Sequence, residues 1–262
     1  MDVKNLIPKI RRSTTALTPV FILSHGRAGT KWLAWAIQKM CTGVLATHEP
    51  PPMVKLLALQ YHYRNVSNKE AVQGVKYARD GHIYAAAKYF KASHYVEVNR
   101  NLFSLANPLR EAYPKAKIIG LVRDGRKFLV SMLNKNFYGE DSRPGKGGGK
   151  PYLEGQFPAW EGLSQVEKIA YHWIWKIEAF RKQVDKVYRI EDLLASYLAF
   201  EEFLFTAGRL KLVEGEDTFY KLRVKRVNRG DSYRINDFSE LSAKDMKSFV
   251  DIAGPLLDRF GY

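Results

Sequence analysis

The sequence predicts an α/β domain with a central, mostly parallel sheet flanked by helices, and three observations carry that expectation. Short apolar runs rich in β-formers, Val20–Leu23 and Lys117–Val122 ("KIIGLV") foremost, alternate along the chain with segments of helical period. Strands separated by helices over such lengths pair in parallel and are covered on both faces. The first run also passes directly into a glycine-containing turn and a helix, "FILSHGRAGTKWLAWAI", which presents backbone N–H groups and a helix N-terminus to an anion. Ligands of such sheets collect at the carboxyl ends of the strands.

The elements follow in order. After the strand Val20–Leu23, the residues Trp32, Leu33, Trp35, Ala36 and Ile37 recur at helical spacing, and Val44–Thr47 reads as a second strand. That strand stops at "HEPPP", whose prolines cannot continue a ladder, so His48 and Glu49 stand at a strand end. Residues 52–92 are mostly helical in pattern. Tyr95–Asn99 is a further strand, "LFSLANPLREAY" a helix, and Lys117–Val122 the clearest buried strand. The aperiodic, Gly- and Pro-rich stretch "YGEDSRPGKGGGKPYLEGQFP" predicts a long mobile loop, 139–158. Helix 163–184, strand Lys186–Ile190 and helix 192–207 come next, then the basic, aromatic and poorly periodic "FYKLRVKRVNRGDSYRINDF", and an amphipathic helix over 242–259. With no internal repeat and no linker, one domain over 1–262 is expected, its first part a basic segment at 1–17.

Composition narrows the partners. Lys and Arg number 42 against 27 acidic residues, a net charge of +15, which favours anionic partners such as nucleotides, nucleic acid, acidic glycans or a membrane surface. The single cysteine, Cys41, excludes an intramolecular disulfide and a cysteine-rich metal site, and suits a reducing compartment. No apolar run reaches spanning length and no secretory signal is visible, so a soluble, cytoplasmic protein is expected. The first loop lacks the signature of a nucleoside-triphosphate site. Such a site needs four residues between its glycines and Lys-Ser/Thr after the second. Here only Arg27 and Ala28 separate Gly26 from Gly29, and Lys31 is followed by Trp32, so the magnesium-holding hydroxyl is absent from its expected place.

Taken with two further stretches, this loop resembles that of the sulfotransferases that use 3′-phosphoadenosine 5′-phosphosulfate (PAPS). In that family the loop has the type Pro-Lys/Arg-Ser-Gly-Thr-Thr-Trp. Here Arg27, Gly29, Thr30 and Trp32 fit, while Ala28 replaces the serine and Lys31 the second threonine. A buried strand ending in arginine, with a serine eight residues later, contacts the donor's 3′-phosphate in the family, and "LVRDGRKFLVS" supplies Arg123 and Ser131. A residue at a strand end and one two turns into the next helix can converge on one phosphate. "KRVNRGDSYRINDF" is similar to the family's C-terminal Arg-Lys-Gly loop, with Arg226, Arg229 and Gly230 as the matching residues and Tyr233 where tryptophan often stands. In "VYRIEDL" Ile190 occupies the family's adenine-side tyrosine position, leaving Tyr188 as a substitute.

The resemblance implies PAPS as donor, 3′,5′-diphosphoadenosine (PAP) as product, no metal, and a hydroxyl-bearing acceptor that is a glycan, a small molecule or a peptide. Nucleic acid is not the expected partner. Arg27, with Thr30, Lys31 and the loop N–H groups, would hold the 5′-phosphosulfate. Trp32 would stack on adenine or belong to the core. For the base, Glu49 matches the position of the glutamate in tyrosylprotein sulfotransferases, His48 has the ordinary pKa nearer neutrality, and Glu97 lies on the strand that supplies a catalytic histidine in other members. Strand alternation would let only one of His48 and Glu49 reach the sulfuryl group. Asn99 and Arg100 resemble an Asn-Lys pair, with Arg100 polarising the transferring group or forming a surface ion pair.

His62, His82, His94 and His172 have no metal-ligand spacing, and the aromatic band Tyr171, Trp173, Trp175 and Phe180 reads as core. Two other classes stay open. One is a P-loop kinase of a small molecule or nucleotide. The other is a non-catalytic module binding anionic polymers through Lys221, Arg223, Lys225, Arg226 and Arg229.

Overall fold

Strand β1 (Thr18–Ser24) lies at the centre of a five-stranded sheet, with β3 (Val44–His48) and β4 (His94–Asn99) on one side and β5 (Lys117–Val122) and β6 (Lys186–Arg189) on the other, in the order β3-β4-β1-β5-β6. Every pairing in this sheet is parallel. Ile22 lies opposite Val98 on one neighbour and Ile119 on the other, and Val122 opposite Arg189. The computed structural model describes residues 17–139, 159–225 and 234–262. The basic N-terminal segment, nearly all of the loop expected at 139–158 including Gly145–Lys150, and the stretch with Arg226, Arg229, Gly230 and Tyr233 lie outside the described residues.

Period-two alternation sorts each central strand between two cores. Phe21 and Leu23 of β1 face one apolar cluster and Val20 and Ile22 the other, all four fully buried. Each such side chain contributes roughly 1.5–3 kcal/mol of hydrophobic stabilisation, so the strand is fixed in register and cannot slip by one residue. The first cluster is closed by α3 (Asn68–Lys88), α4 (Ala106–Ala112), α5 (Gly125–Leu133), α6 (Gln165–Arg181) and the C-terminal helix Ala243–Arg259, which presents Phe249, Ala253, Leu256 and Leu257 at helical spacing. Trp173, Trp175 and Phe180 of the expected aromatic band are buried in it. The second cluster is closed by α1 (Thr30–Met40) and by the helices Tyr197–Gly208 and Glu216–Arg223.

Local signals set the helix starts. α3 and α6 both begin at capping boxes, Ser67 with Glu70 and Ser164 with Glu167, in which serine accepts the N3 amide and glutamate the cap amide. The expected helix 192–207 is two helices, α7 (Ile190–Leu193) and α8 (Tyr197–Gly208), because the Ser196 side chain accepts from Ala199 N and starts a new one. β6 accordingly ends at Arg189. The stretch read as aperiodic from Phe219 begins inside α9 (Glu216–Arg223). A two-residue ribbon, β2 (Cys41–Thr42) with β7 (Lys211–Leu212), is antiparallel and too short to leave a periodic trace. α2 (Lys55–His62) and α10 (Ala243–Arg259) complete the α-helices of the described residues. No described helix is long and apolar enough to cross a membrane.

Candidate active site

The β1–α1 turn is built to leave its amides open. Gly26 has φ +91°, a dihedral that favours glycine, and a Cβ there would stand 3.0 Å from Arg100 Cδ and press on that side chain. Gly29, at φ +72°, is the N-cap of α1, and a Cβ on it would press on Ile190 at 3.3 Å. Arg27 between them is also left-handed, φ 53°. α1 starts with no side-chain cap and no acidic residue in its first turn, so the positive end of the helix faces a cavity without a resident carboxylate on that turn.

Arg123 and Ser131 meet this turn. The Arg27 Nε–H donates to Ser131 Oγ at 2.8 Å, and Arg123 Nη1–H donates to the Arg27 carbonyl at 2.9 Å. Arg123 leaves the carboxyl end of β5, and Ser131 lies two turns into α5, whose N-cap Asp124 accepts from Arg126 N and pairs with its guanidinium at 3.0 Å. Both side chains thus meet Arg27, one at its guanidinium and one at its carbonyl, and all three line one cavity beside the glycine turn.

At the far side of the turn the strand end of β3 carries His48 and Glu49 together. His48 Nε2 shares a hydrogen bond with Thr30 Oγ1 at 3.0 Å and stands 3.6 Å from Glu49 Oε1, which receives Arg100 Nε–H at 3.1 Å. Both residues line the same cavity. The alternation argument fails here because Glu49 has φ +47°, which turns the chain out of the extended conformation at the residue where alternation would have counted. Burial lowers the His48 pKa from its ordinary value; Glu49 opposes the shift, and Arg100 and Lys31 add to it, so the imidazole is neutral at neutral pH.

Glu97 is not at this cavity. It is fully buried, with Arg79 Nε–H donating to Oε2 at 2.6 Å, Tyr95 OH donating to the same oxygen at 3.0 Å and Asn99 Nδ2–H to Oε1 at 2.7 Å. Asn99 Oδ1 in turn accepts Asn101 N at 2.8 Å and caps the short 3₁₀ turn Arg100–Leu102. Glu97 thus supports the turn that carries Arg100, and the expectation that it is a base is corrected: its carboxylate is spent on Arg79. Arg79 also donates to Pro52 O at 3.0 Å, tying the segment after Glu49 to the same buried pair.

The structure separates the two aromatic residues expected near adenine. Tyr188 does not line the cavity; its ring stands edge-on to Phe203, 5.1 Å between centroids, because β6 turns that side chain toward the second core. Ile190 lines the cavity in its place. Trp32 lines the cavity too, but it is 7% exposed, donates Nε1–H to Leu222 O at 2.9 Å and packs edge-on to Phe200 in the second core.

The cavity has a volume of about 1030 Å³, at the top of the range for small-molecule sites and larger than one nucleotide needs. Its wall carries eight lysines and arginines against four carboxylates. Beyond Arg100 stands Lys176, whose Nζ–H donates to Arg100 O at 3.4 Å and lies 4.3 Å from the Phe103 ring centroid. Burial, then the Arg100 and Lys55 charges, pushes the Lys176 pKa down to about 7, with Glu49 opposing. Sequence reasoning missed Lys176, His25, Arg126 and Lys127. Arg126 and Lys127 were visible in "RDGRK", beside the arginine already singled out; His25 stood inside the first motif. Among the described residues, no group of three or more His, Cys, Asp or Glu is placed to hold a metal ion.

Fold and wall together define an α/β protein with a strongly basic cleft across the carboxyl edge of its sheet. No family model matches the chain, and no curated protein does. Among solved structures it is similar to the sulfotransferase STF1 from Mycobacterium tuberculosis H37Rv, at 14% identity and a TM-score of 0.44, over 94% of this chain and 80% of that one. At those values the likeness says nothing of what this chain binds, and the functional reading rests on the cleft's own residues.

Proposed function

We propose that the protein is a sulfotransferase that moves a sulfuryl group from PAPS to a hydroxyl or amine of an acceptor. The observation that carries this reading is the meeting of Arg123 and Ser131 with Arg27 beside an uncapped helix N-terminus, in a cleft that continues to His48, Glu49 and Arg100. In this reading a nucleotide with phosphates on both sides of its ribose would use the whole of that wall, one anion at the glycine turn and the α1 N-terminus and the other on the Arg123–Ser131 side. The turn is also the wrong length for a triphosphate.

The residues divide the work of an in-line displacement. The α1 amides, Lys31 and Arg27 hold the 5′-phosphate and stabilise the charge that grows on its bridging oxygen as the S–O bond breaks. Arg100 stands beside the transferring group's oxygens. Glu49 takes the proton of the acceptor hydroxyl while that oxygen bonds to sulfur, and PAP leaves with the electron pair of the broken bond. His48, neutral and bridged to Thr30, orients the loop hydroxyl against the carboxylate. A large cleft leaves room for an acceptor beside the donor.

The test is calorimetric titration with PAP, with ATP and magnesium, and with heparin. The proposal expects tight, chelator-insensitive PAP binding and weak ATP binding. Magnesium-dependent ATP binding would favour a kinase, and salt-sensitive heparin binding with no nucleotide affinity would favour a polymer-binding module.

A further inference from the structure

His25 is the last residue before the glycine turn, 2% exposed, and it reaches the opposite strand end. Its Nε2 accepts the Arg123 main-chain N–H at 3.0 Å. On the other side of the same residue, Trp173 Nε1–H donates to Arg123 O at 3.1 Å. The main chain of Arg123 is therefore gripped at both its donor and its acceptor, while its side chain reaches back to the Arg27 carbonyl. The imidazole stands edge-on to Phe128, 5.0 Å between centroids and 85° between planes, and edge-on to Trp173 at 6.3 Å. Accepting at Nε2 makes the ring a neutral tautomer protonated at Nδ1, and that Nδ1 is buried with no hydrogen-bond partner.

A buried donor left unsatisfied is costly, and an apolar side chain would fill the space between Phe128 and Trp173 without that cost. What an apolar side chain lacks is an acceptor for Arg123 N. We propose that His25 is a positioning residue that fixes Arg123 through its main chain, locks the glycine turn to the β5–α5 turn, and thereby sets the preference for a nucleotide bearing a second phosphate. The inference deepens the proposed function and rests on it for the identity of that phosphate. The charged and titratable groups facing His25 are Arg123, Lys176 and His172. Burial first, then Arg123 and Lys176, pushes its pKa down to about 3, so Nε2 stays an acceptor across the neutral range and the grip does not titrate there.

The experiment compares PAP with adenosine 5′-phosphate on wild type, His25→Phe and His25→Gln. Phenylalanine keeps the aromatic shape and removes the acceptor; glutamine restores an acceptor oxygen. The expected result is that His25→Phe lowers PAP affinity tenfold or more while adenosine 5′-phosphate affinity changes less than threefold, and that His25→Gln recovers most of the ratio. An unchanged ratio in folded His25→Phe, or equal loss for both nucleotides in both variants, overturns the proposal. Nitrogen NMR of the ligand-free wild type decides independently, including where His25→Phe does not fold or where wild type binds neither nucleotide and the sulfotransferase reading fails. An unprotonated Nε2 with a slowly exchanging Arg123 amide supports the grip; a protonated Nε2 or a rapidly exchanging amide overturns it.

Discussion

Replacing Glu49 by glutamine separates proton transfer from everything else the carboxylate does. Glu49 Oε1 is 3.1 Å from Arg100 Nε and 3.6 Å from His48 Nε2. Glutamine retains an oxygen for Arg100 and loses only the charge and the capacity to take a proton. Loss of a positioned general base costs roughly 10²–10⁴ in rate, so kcat should fall about a hundredfold or more, equivalent to about 2.7 kcal/mol or more of barrier. Donor affinity should change less than about threefold, and in the direction of tighter binding, since one negative charge leaves the wall of a cleft that holds an anion. His48→Asn, which removes the partner of Thr30 but no carboxylate, should cost less than about tenfold. The assay is PAP release at saturating donor, with an acceptor chosen from a screen of phenols, sugars, glycans and peptides. Near-wild-type turnover in Glu49→Gln together with collapse in His48→Asn would refute the assignment and move the base to the histidine.

Three further outcomes are expected. Arg123→Ala removes a charge-assisted fork of about 1.5–3 kcal/mol and should weaken PAP binding by roughly tenfold to a hundredfold in calorimetry, with adenosine 5′-phosphate little affected; equal affinity of mutant and wild type for PAP would remove Arg123 from the site. Arg79→Ala leaves the buried Glu97 carboxylate without its cation and should cost about 3–5 kcal/mol in urea unfolding, a loss under about 1 kcal/mol being incompatible with the pair as described. Lys176 has a folded-state pKa of about 7 against about 10.4 unfolded, so between those values the unfolded chain binds more protons and wild-type stability rises with pH. Lys176→Met should therefore exceed wild type in Tm most clearly below pH 7, with the gap closing toward pH 10, whereas a gap independent of pH would mean that Lys176 titrates normally.

What the sequence showed and what it hid follow from the range of the interactions involved. Strands such as Lys117–Val122 and the glycine turn were legible because their signals are local: an apolar run, two glycines, a helical period. Arg123 and Ser131 were singled out by the resemblance rather than by spacing alone; strand rise and helix pitch only make their common approach to Arg27 possible. Interactions distant in sequence were not legible. The pairing of Glu97 with Arg79 joins β4 to α3 across 18 residues, and only the folded chain shows that this carboxylate is neutralised. His48 and Glu49 reach one cavity because of a single left-handed residue, and glutamate gives no warning of positive φ as glycine does. The Ser196 cap that divides the expected helix 192–207 was local and readable. Tyr188 was a matter of one residue of register, since β6 ends at Arg189 and its side chain faces Phe203 rather than the cleft.

The central claim is that this cleft transfers a sulfuryl group, and it is tested most directly by incubating the protein with PAPS labelled in its sulfuryl sulfur, a mixed acceptor panel and a metal chelator. Label should appear on an acceptor in step with PAP release, and both should be lost in Arg27→Ala. Absence of transfer with absence of PAP binding, or transfer of phosphate from magnesium-ATP to the same panel, would contradict the account.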